Sequence, residues 1–537
     1  IVAWDVSSVT DMESMFASAV QFNQPIGPWD VSPTTNTKSM FAGAAAFDQF
    51  LPWHDDFNTT PEPTPKPTLP PTPAPTVAPS TSSPTISPNS ELRSAVDEWI
   101  ADAPSAEIKH GPISGWDTSK VTDLSEVFSN ATAFDASIGA WDTSKVTVMY
   151  RTFYDAAAFN QDIGGWDVAR VTSMLSAFSG AATFDQDVGA WDTSKVTDLA
   201  LAFKGASAFD QPIGGWDVSK VTTMYYTFYI PETLAAAFDA DISAWDVSKV
   251  TTLQGTFRGA AAFDAPIGAW DTSSVTDMYG TFMAPHASAF DADISAWDVS
   301  RVTSMSSTFS GAWRFDQDVG AWDTSKVTDL TLAFNATSHF DQPIGAWDTS
   351  SVTTMYHAFN RAAAFDANIS PWDVSKVTTL QGTFYGASTF NAPIGGWDVS
   401  KVTDMDRTFY NAQAFNASIG AWDVSQVTDM QRAFGLAVTF NADIGGWDVS
   451  KVRNVYAAFF LAVTFDADIG GWDVSSVTDM QYAFDGAAAF DADIGAWHVS
   501  SVTTMFRTFL DAAAFNAPIG GWDVSKGTDM NNAFSGA

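Results

Sequence analysis

The sequence contains no cysteine, which excludes a disulfide framework, thiolate metal sites and thiol catalysis. Cations are also scarce, because 25 lysines and arginines stand against 62 aspartates and glutamates, for a formal net charge of -37. Binding to nucleic acid is therefore not expected, since it requires a dense positive surface. No apolar run approaches the roughly 20 residues that span a bilayer, so we predict no transmembrane segment.

The sequence also lacks the arrangement of a catalytic site. The six histidines share no spacing, and His54 and His498 stand where related segments carry aspartate. A chain of near-identical repeats offers no unique concave pocket that could hold an acid–base pair. We therefore predict that the protein is not an enzyme, with no catalytic residues and no organic cofactor.

The sequence is instead dominated by a 25-residue repeat that begins at a tryptophan. The copy at Trp397 reads Trp-Asp-Val-Ser-Lys-Val-Thr-Asp-Met, continues through Phe409, Ala412 and Phe415, and meets the next copy at Trp422. A fixed period of this length predicts a stacked solenoid, because one such unit cannot bury its own apolar face. We number the positions of each unit from its tryptophan, which is position 1.

The repeats form two arrays. A short first array contains Trp4, Trp29 and Trp53, and a second array contains 17 units. The units of the second array begin at Trp116, Trp141, Trp166, Trp191, Trp216, Trp245, Trp270, Trp297, Trp322, Trp347, Trp372, Trp397, Trp422, Trp447, Trp472, Trp497 and Trp522. Two units carry insertions, at residues 230–233 and near 284–286, and both insertions fall between the two phenylalanines of the unit. This side of the repeat is therefore predicted to be a loop that tolerates changes in length.

Within one unit the pattern predicts a strand followed by a short helical turn. Val or Thr at position 3 and Val at position 6 bracket a strand that could stack in a parallel sheet. Position 8 is a residue type typical of helix N-caps in 16 of the 17 units. Met or Leu at position 9, Phe at 13 and Ala at 16 have the spacing of one helix face. With Phe at 19 and Ile or Val at 23 in the core, the predicted fold class is an α/β repeat solenoid.

We predict four segments along the chain. Residues 1–57 form the first array, 58–89 a proline- and threonine-rich linker, 90–115 a capping helix with an entry loop, and 116–537 the second array. The composition of the linker favours polyproline II. Ser90 is a plausible N-cap for the capping helix. Because both chain ends fall inside a repeat, we expect either a longer chain or ends covered by partners.

The repeat pattern Trp-Asp-Val-Ser-x-Val-Thr-x-Met-x-x-x-Phe-x-x-Ala-x-x-Phe-Asn covers both arrays. It resembles the BspA-like surface-protein repeat family, a relative of the leucine-rich repeats. The resemblance implies a leucine-rich-repeat-like fold, an extracellular or cell-surface location and an adhesive or interaction role, and it brings no catalytic residues. The proline- and threonine-rich linker is similar to those of secreted microalgal proteins.

Position 5 carries a cation in 12 of the 17 units, nearly half of all the cations of the chain. Stacking would place them in one row, the basic stripe: Lys120, Lys145, Arg170, Lys195, Lys220, Lys249, Arg301, Lys326, Lys376, Lys401, Lys451 and Lys526. One interpretation is local neutralisation of the aspartates at position 2. The other is a docking stripe for an acidic partner, such as a second copy of this protein.

Acidic residues recur at positions 20 and 22, where stacking would bring carboxylates together. Oxygen-rich clusters of this kind suit calcium, and the candidate ligands are Asp466, Asp468, Asp491 and Asp493. The alternative is an Asx-turn at a corner of the repeat. The tryptophans could stack sugars only if they were exposed, and their regularity favours packing instead.

Five sequons predict N-glycosylation, at Asn58, Asn130, Asn335, Asn368 and Asn416. A proline directly follows the sequons at Asn58 and Asn368, which weakens those two. Acceptor sites of this kind are typical of the surface loops of secreted proteins, so the sequons agree with an extracellular location.

Two functions remain open from the sequence. The first is an extracellular structural glycoprotein that self-associates through stacked repeats into a filament, sheath or surface appendage. The second is a monomeric surface adhesin, with or without a calcium dependence, that binds a glycan or an extracellular matrix glycoprotein on one face of the solenoid. Neither function involves nucleic acid.

Overall fold

The computed structural model describes residues 89–284 and 288–537. The chain divides into two units, residues 1–79 and 80–537, and all of the described residues lie in the second. The predicted first array, the linker up to residue 88 and the sequon at Asn58 lie outside the described residues.

Two α-helices precede the array: α1 spans Asn89–Ala101 and α2 spans Ala103–His110. Short 3-10 turns occur at Ile113–Gly115 and Ile344–Ala346. Asp102 caps α2, because its side chain accepts a hydrogen bond from the backbone N–H of Ser105. Neither α1 nor α2, the two α-helices of the described ranges, has the length and apolar character of a membrane span.

Helix α1 covers the segment whose apolar spacing predicts a helix, but Ser90, the predicted N-cap, is its second residue. Leu92, Ala95 and Val96 are buried in the core of the array. Trp99 packs edge-on against Trp116, with ring centroids 6.2 Å apart. Ile100 does not join this face, since it is 44% exposed. The helix thus contributes apolar side chains to the first unit of the second array.

The array itself is built from turns, and the predicted α/β class with short parallel strands is wrong. Residues 89–284 and 288–537 contain no β-strand and no sheet. Consecutive coils are joined instead by isolated parallel bridges at position 8, such as Asp404 with Asp429. Positions 3 to 6, predicted as a strand, form a turn in which the N–H of Val402 donates to the carbonyl of Val399 at 2.8 Å.

The helical turn predicted at positions 9 to 16 is also wrong, because every second N–H group of this segment bonds to the next coil. Arg407 donates its N–H to the carbonyl of Gln431 at 2.8 Å, and Arg432 donates in turn to Tyr456 at 2.8 Å. Every second peptide group in this segment therefore lies along the stacking direction. Its carbonyl accepts from the preceding coil and its N–H donates to the following coil, which leaves no i to i−4 bonds for a helix.

A left-handed residue at position 11 makes this arrangement possible. The φ angle is between 49° and 60° at position 11 in all 17 units, and only Gly255, Gly280 and Gly382 are glycine there. For other residues this conformation costs on the order of 1–3 kcal/mol. The hydrogen bonds to the next coil, repeated at every unit, offset that cost. Position 15 is also left-handed except in the two units with insertions, at Ile230 and Ala284.

Three ladders of stacked rings form the core, as the sequence predicted. Phe409 lies 5.6 Å from Phe434 in the next coil and 3.8 Å from Phe415 in its own coil, measured between ring centroids. Trp422 and Trp447 stack at 6.4 Å. Because these rings are almost entirely buried, each coil completes its core only by contact with its neighbours.

Two further contacts fix the corner at positions 23 to 25. The indole Nε1 of Trp422 donates to the carbonyl of Ile394 in a preceding coil at 3.1 Å. A Cβ on Gly420 at position 24 would lie 2.5 Å from the carbonyl oxygen of Asp443, so glycine permits this close approach. The buried tryptophans cannot stack sugars, which excludes that interpretation of the tryptophan ladder.

Candidate interaction surfaces

The basic stripe is exposed along its whole length. All twelve cations at position 5 are exposed side chains. No carboxylate of residues 89–284 and 288–537 lies within ion-pair distance of them. Lys220 donates to the carbonyl of Ser194 at 2.8 Å and Lys451 to the side chain of Gln426 at 2.7 Å. The stripe therefore presents a row of cations to solvent.

The aspartates at position 2 are satisfied locally rather than by the stripe. Asp398 accepts the N–H of Ser400 at 3.0 Å. The hydroxyl and N–H of Ser400 hold the pKa of Asp398 below its usual value, and Lys401 contributes less to this lowering. The cations at position 5 thus contribute to the charge balance of position 2, but less than Ser194 and Ser400 do.

Position 8 has the capping role that its residue types suggested, but it caps a turn and not a helix. Asp404 accepts the N–H of Asp406 at 2.8 Å, and Asn454 accepts the N–H of Tyr456 at 2.9 Å. Burial raises the pKa of Asp404. The same unit thus holds one aspartate with a lowered pKa and another with a raised pKa.

The acidic residues at position 20 form a ladder through the backbone. Each side chain accepts the N–H of its counterpart in the next coil, as Asn441 does from Asp466 and Asp466 from Asp491, both at 2.8 Å. Asp468 and Asp493 at position 22 accept the N–H of the glycine two residues later, at 3.1 and 3.0 Å. The bonds at position 22 have the pattern of the predicted Asx-turn, whereas the bonds at position 20 link neighbouring coils, which the sequence reasoning did not predict.

The four predicted calcium ligands therefore already have backbone partners through one oxygen each. Among residues 89–284 and 288–537, no group of three or more His, Cys, Asp or Glu side chains has the arrangement of a metal site. Calcium is not part of the proposed function. The acidic corner, which consists of positions 20 and 22, is an electrostatic surface.

The described sequons differ in accessibility. Asn130, Asn368 and Asn416 are exposed, whereas Asn335 is half-buried and donates its side-chain amide to Ser310 at 2.8 Å. Thr337, the hydroxyl residue of the Asn335 sequon, is fully buried. Glycosylation remains a prediction at all four sites, and Asn335 is the least accessible of them.

Positions 10, 11, 14 and 15 form a second surface, the tyrosine face, which the sequence reasoning missed. All eleven tyrosines of the chain lie at positions 10, 11 and 14. They are Tyr150, Tyr154, Tyr225, Tyr226, Tyr229, Tyr279, Tyr356, Tyr385, Tyr410, Tyr456 and Tyr482. The sequence alone shows that tyrosine is restricted to three of the 25 positions of the repeat. The incorrect prediction of a helix over these positions prevented us from recognising them as one surface.

Cations interleave with the aromatic rings on this face. The Arg151 guanidinium lies 4.6 Å from the ring centroid of Tyr154, and the Arg432 guanidinium lies 4.9 Å from that of Tyr456. Tyr385 and Tyr410 stack at 5.2 Å. Most of these side chains are half-buried, so the rings are held in place while part of each remains accessible.

Burial sets the protonation of several groups on the tyrosine face. It raises the pKa of Tyr154 and of Tyr410, so both phenols stay protonated. It lowers the pKa of His357, which favours the neutral imidazole. Burial also raises the pKa of Asp155 and of Asp485. The face therefore offers neutral phenol hydroxyls beside permanently charged guanidinium groups.

A family model described as "Mycoplasma protein of unknown function, DUF285" matches the chain in overlapping segments. The matched residues are 1–61, 98–191, 162–236, 232–343, 304–416, 328–445, 380–474 and 428–537. No curated protein matches the chain. The overlapping segments agree with a chain made of repeats and leave only the proline-rich region and the start of α1 unmatched.

Proposed function

Since the chain belongs to the DUF285 family, a repeat family and not an enzyme family, we propose that it is a non-catalytic structural protein of the cell exterior. Its copies associate side by side through the basic stripe. The observation that carries this proposal is the row of exposed cations with no carboxylate partner in the described residues.

Neighbouring cations of the stripe repel one another, while the aspartates at position 2 of the same copy attract them. Six consecutive units carry its cations from Lys120 to Lys249. Coils joined by parallel bridges lie about 4.8 Å apart, and two exposed like charges at that distance repel by roughly 0.9 kcal/mol in water. A surface with negative charges at the same spacing would relieve this repulsion.

A second copy provides such a surface at its acidic corner. Asp466, Asp468, Asp491 and Asp493 are examples, and all four are exposed. The hydrogen bonds described above occupy one oxygen of each carboxylate. Because both surfaces repeat once per coil, cations and carboxylates of two aligned copies stay in register over many coils. Such complementarity sets alignment more than affinity.

Sedimentation velocity of the full chain at several concentrations and salt levels tests this proposal. We expect association at low salt that weakens as screening increases, and a substantial loss for the Lys145→Gln/Arg170→Gln/Lys195→Gln variant. Removal of three cations from the tyrosine face, by Arg361→Gln/Arg432→Gln/Arg507→Gln, is the control. A chain that stays monomeric at low salt, or equal effects of both variants, would contradict the proposal.

The extracellular location and the glycans remain predictions from the sequence, supported by the family resemblance and by the three exposed sequons. End-on growth into a filament is likewise a prediction. The adhesin alternative gains support from a separate observation, the tyrosine face.

A further inference from the structure

The tyrosine face is not required by the fold. In the Trp297 unit, positions 10, 11 and 14 are Ser306, Ser307 and Ser310. The N–H of Ser307 nevertheless donates to the next coil at 2.8 Å, the same distance as for Arg407. Because serine and arginine support the same backbone, the restriction of tyrosine to this face reflects its surface and not the packing of the coil.

The residue types of the face are those that dominate binding energy at protein surfaces. Tyrosine and arginine supply large contact areas and several donors at a small entropic cost when they are already ordered. Eight of the nine cation–π contacts of the described residues lie on this face. These contacts hold the rings and guanidinium groups in place before any ligand arrives.

The charge of the face is opposite to that of the whole chain. Positions 10, 11, 14 and 15 of the second array carry seven cations and five anions, whereas the chain has a net charge of -37. The cations are Arg151, Lys204, Arg258, Arg361, Arg407, Arg432 and Arg507. An acidic ligand is therefore attracted to this face, as it is to the basic stripe, and is repelled by the acidic surfaces of the protein.

The arrangement favours an extended ligand with a repeating chemistry. Ring and cation pairs recur from the Trp141 unit to the Trp497 unit, and each pair spans one or two coils. A compact ligand would engage only a few of them. A linear chain of sugar rings that carry carboxylates could place the apolar side of its rings on tyrosines and its carboxylates on arginines.

We propose that the tyrosine face binds a linear acidic polysaccharide. Guanidinium groups bind the carboxylates, and the half-exposed phenol rings stack on the sugar rings and donate hydrogen bonds to their hydroxyls. This ligand site lies at positions 10, 11, 14 and 15, whereas the basic stripe lies at position 5. Binding to the polysaccharide does not depend on self-association of the protein.

Binding of the full chain to polygalacturonate, measured by calorimetry in moderate salt, tests the proposal. We expect the Arg361→Gln/Arg432→Gln variant to raise the Kd about tenfold, and Tyr385→Ser/Tyr410→Ser to raise it by a similar factor. The matched control is Lys376→Gln/Lys401→Gln, which removes the same charge from the stripe in the units between Arg361 and Arg432. This control should change the Kd less than twofold or so.

Two further ligands distinguish recognition of an acidic polysaccharide from recognition of sugar rings alone or of negative charge alone. Neutral dextran should bind much more weakly than polygalacturonate, and poly-L-glutamate should bind without sensitivity to the tyrosine substitutions. Equal weakening by the face and stripe variants would show attraction by charge alone and would overturn the proposal. Tight binding of poly-L-glutamate that the tyrosine variants abolish would assign the face to an acidic peptide instead.

Circular dichroism of each variant verifies that it is folded. The single Arg361→Gln exchange at an exposed side chain provides a milder test.

Discussion

At the scale of single residues, aspartate has three different roles in one unit. At position 2 it accepts the N–H of position 4, and at position 8 it caps a turn under partial burial. At position 20 it accepts the N–H of its counterpart in the next coil. Composition alone shows only an excess of acid. The surroundings of each carboxylate decide whether its charge stabilises the fold or costs stability.

The pair Asp398 and Asp404 makes this difference testable within one unit. The pKa of Asp398 is lowered by Ser400, so its contribution is present above the unfolded pKa and is lost as the pH falls through the folded value. The pKa of Asp404 is raised by burial, so its charge costs stability at neutral pH and protonation relieves that cost. We therefore expect Asp398→Asn to destabilise at pH 7 and Asp404→Asn to be neutral or stabilising.

Urea unfolding of both variants between pH 7 and pH 3 provides the measurement. Both differences from the parent chain should shrink towards the acid end, because protonated aspartate resembles asparagine. Asn454 shows that asparagine fits position 8. A larger loss of stability for Asp404→Asn than for Asp398→Asn at pH 7 would contradict these assignments.

At the scale of the element, the repeat replaces strand and helix with turns whose peptide groups alternate between local bonds and bonds to neighbouring coils. Arg407 at position 11 has φ 53° because its N–H must reach Gln431 in the next coil. Nothing in the side chain of arginine indicates a left-handed conformation. The regular spacing of positions 9, 13 and 16 predicted that these residues are buried, which is confirmed. It also predicted a helical backbone, which is wrong.

The ladder at position 20 predicts a specific effect of its side-chain oxygen. Asn441→Ala removes the acceptor of the Asp466 N–H and should cost about 0.5–1.5 kcal/mol in the free energy of unfolding. Asn441→Asp retains the oxygen and should change it little, since both residues occur in the ladder. Equal losses for the two variants in urea unfolding would show that the ladder contributes no specific bond.

At the scale of the array, every coil contacts mainly its two neighbours, so whole units should be removable. Deletion of residues 397–421 joins Gly396 directly to Trp422 and preserves the phase of all ladders. We expect a folded protein with nearly unchanged near-ultraviolet circular dichroism and thermal midpoint, because stability in such arrays is a sum of local terms.

Deletion of residues 397–408 alone is the matched control. It leaves half a coil, and the phenylalanine and tryptophan ladders lose their register, so the thermal midpoint should fall and the aromatic signal should weaken. Equal behaviour of the two deletions would argue against a stack of interchangeable coils.

The sequence by itself determined the period, the units and the buried positions. Phe409, Phe415 and Trp422 are core residues because apolar side chains that recur at a fixed spacing must be buried together, whatever the backbone does. Helix α1 could also be predicted, since its bonds are local and its apolar spacing is that of a helix.

Only the tertiary structure decided the backbone and the surfaces. The N–H groups of positions 9, 11, 13 and 15 bond to the next coil, so the conformation at Arg407 is fixed by a partner 24 residues away and not by local propensity. Without that backbone, the sequence did not show that Tyr385 and Tyr410 lie side by side. The tyrosine face could therefore not be predicted. Non-local hydrogen bonds, repeated at every coil, override the local preferences on which sequence reasoning depends.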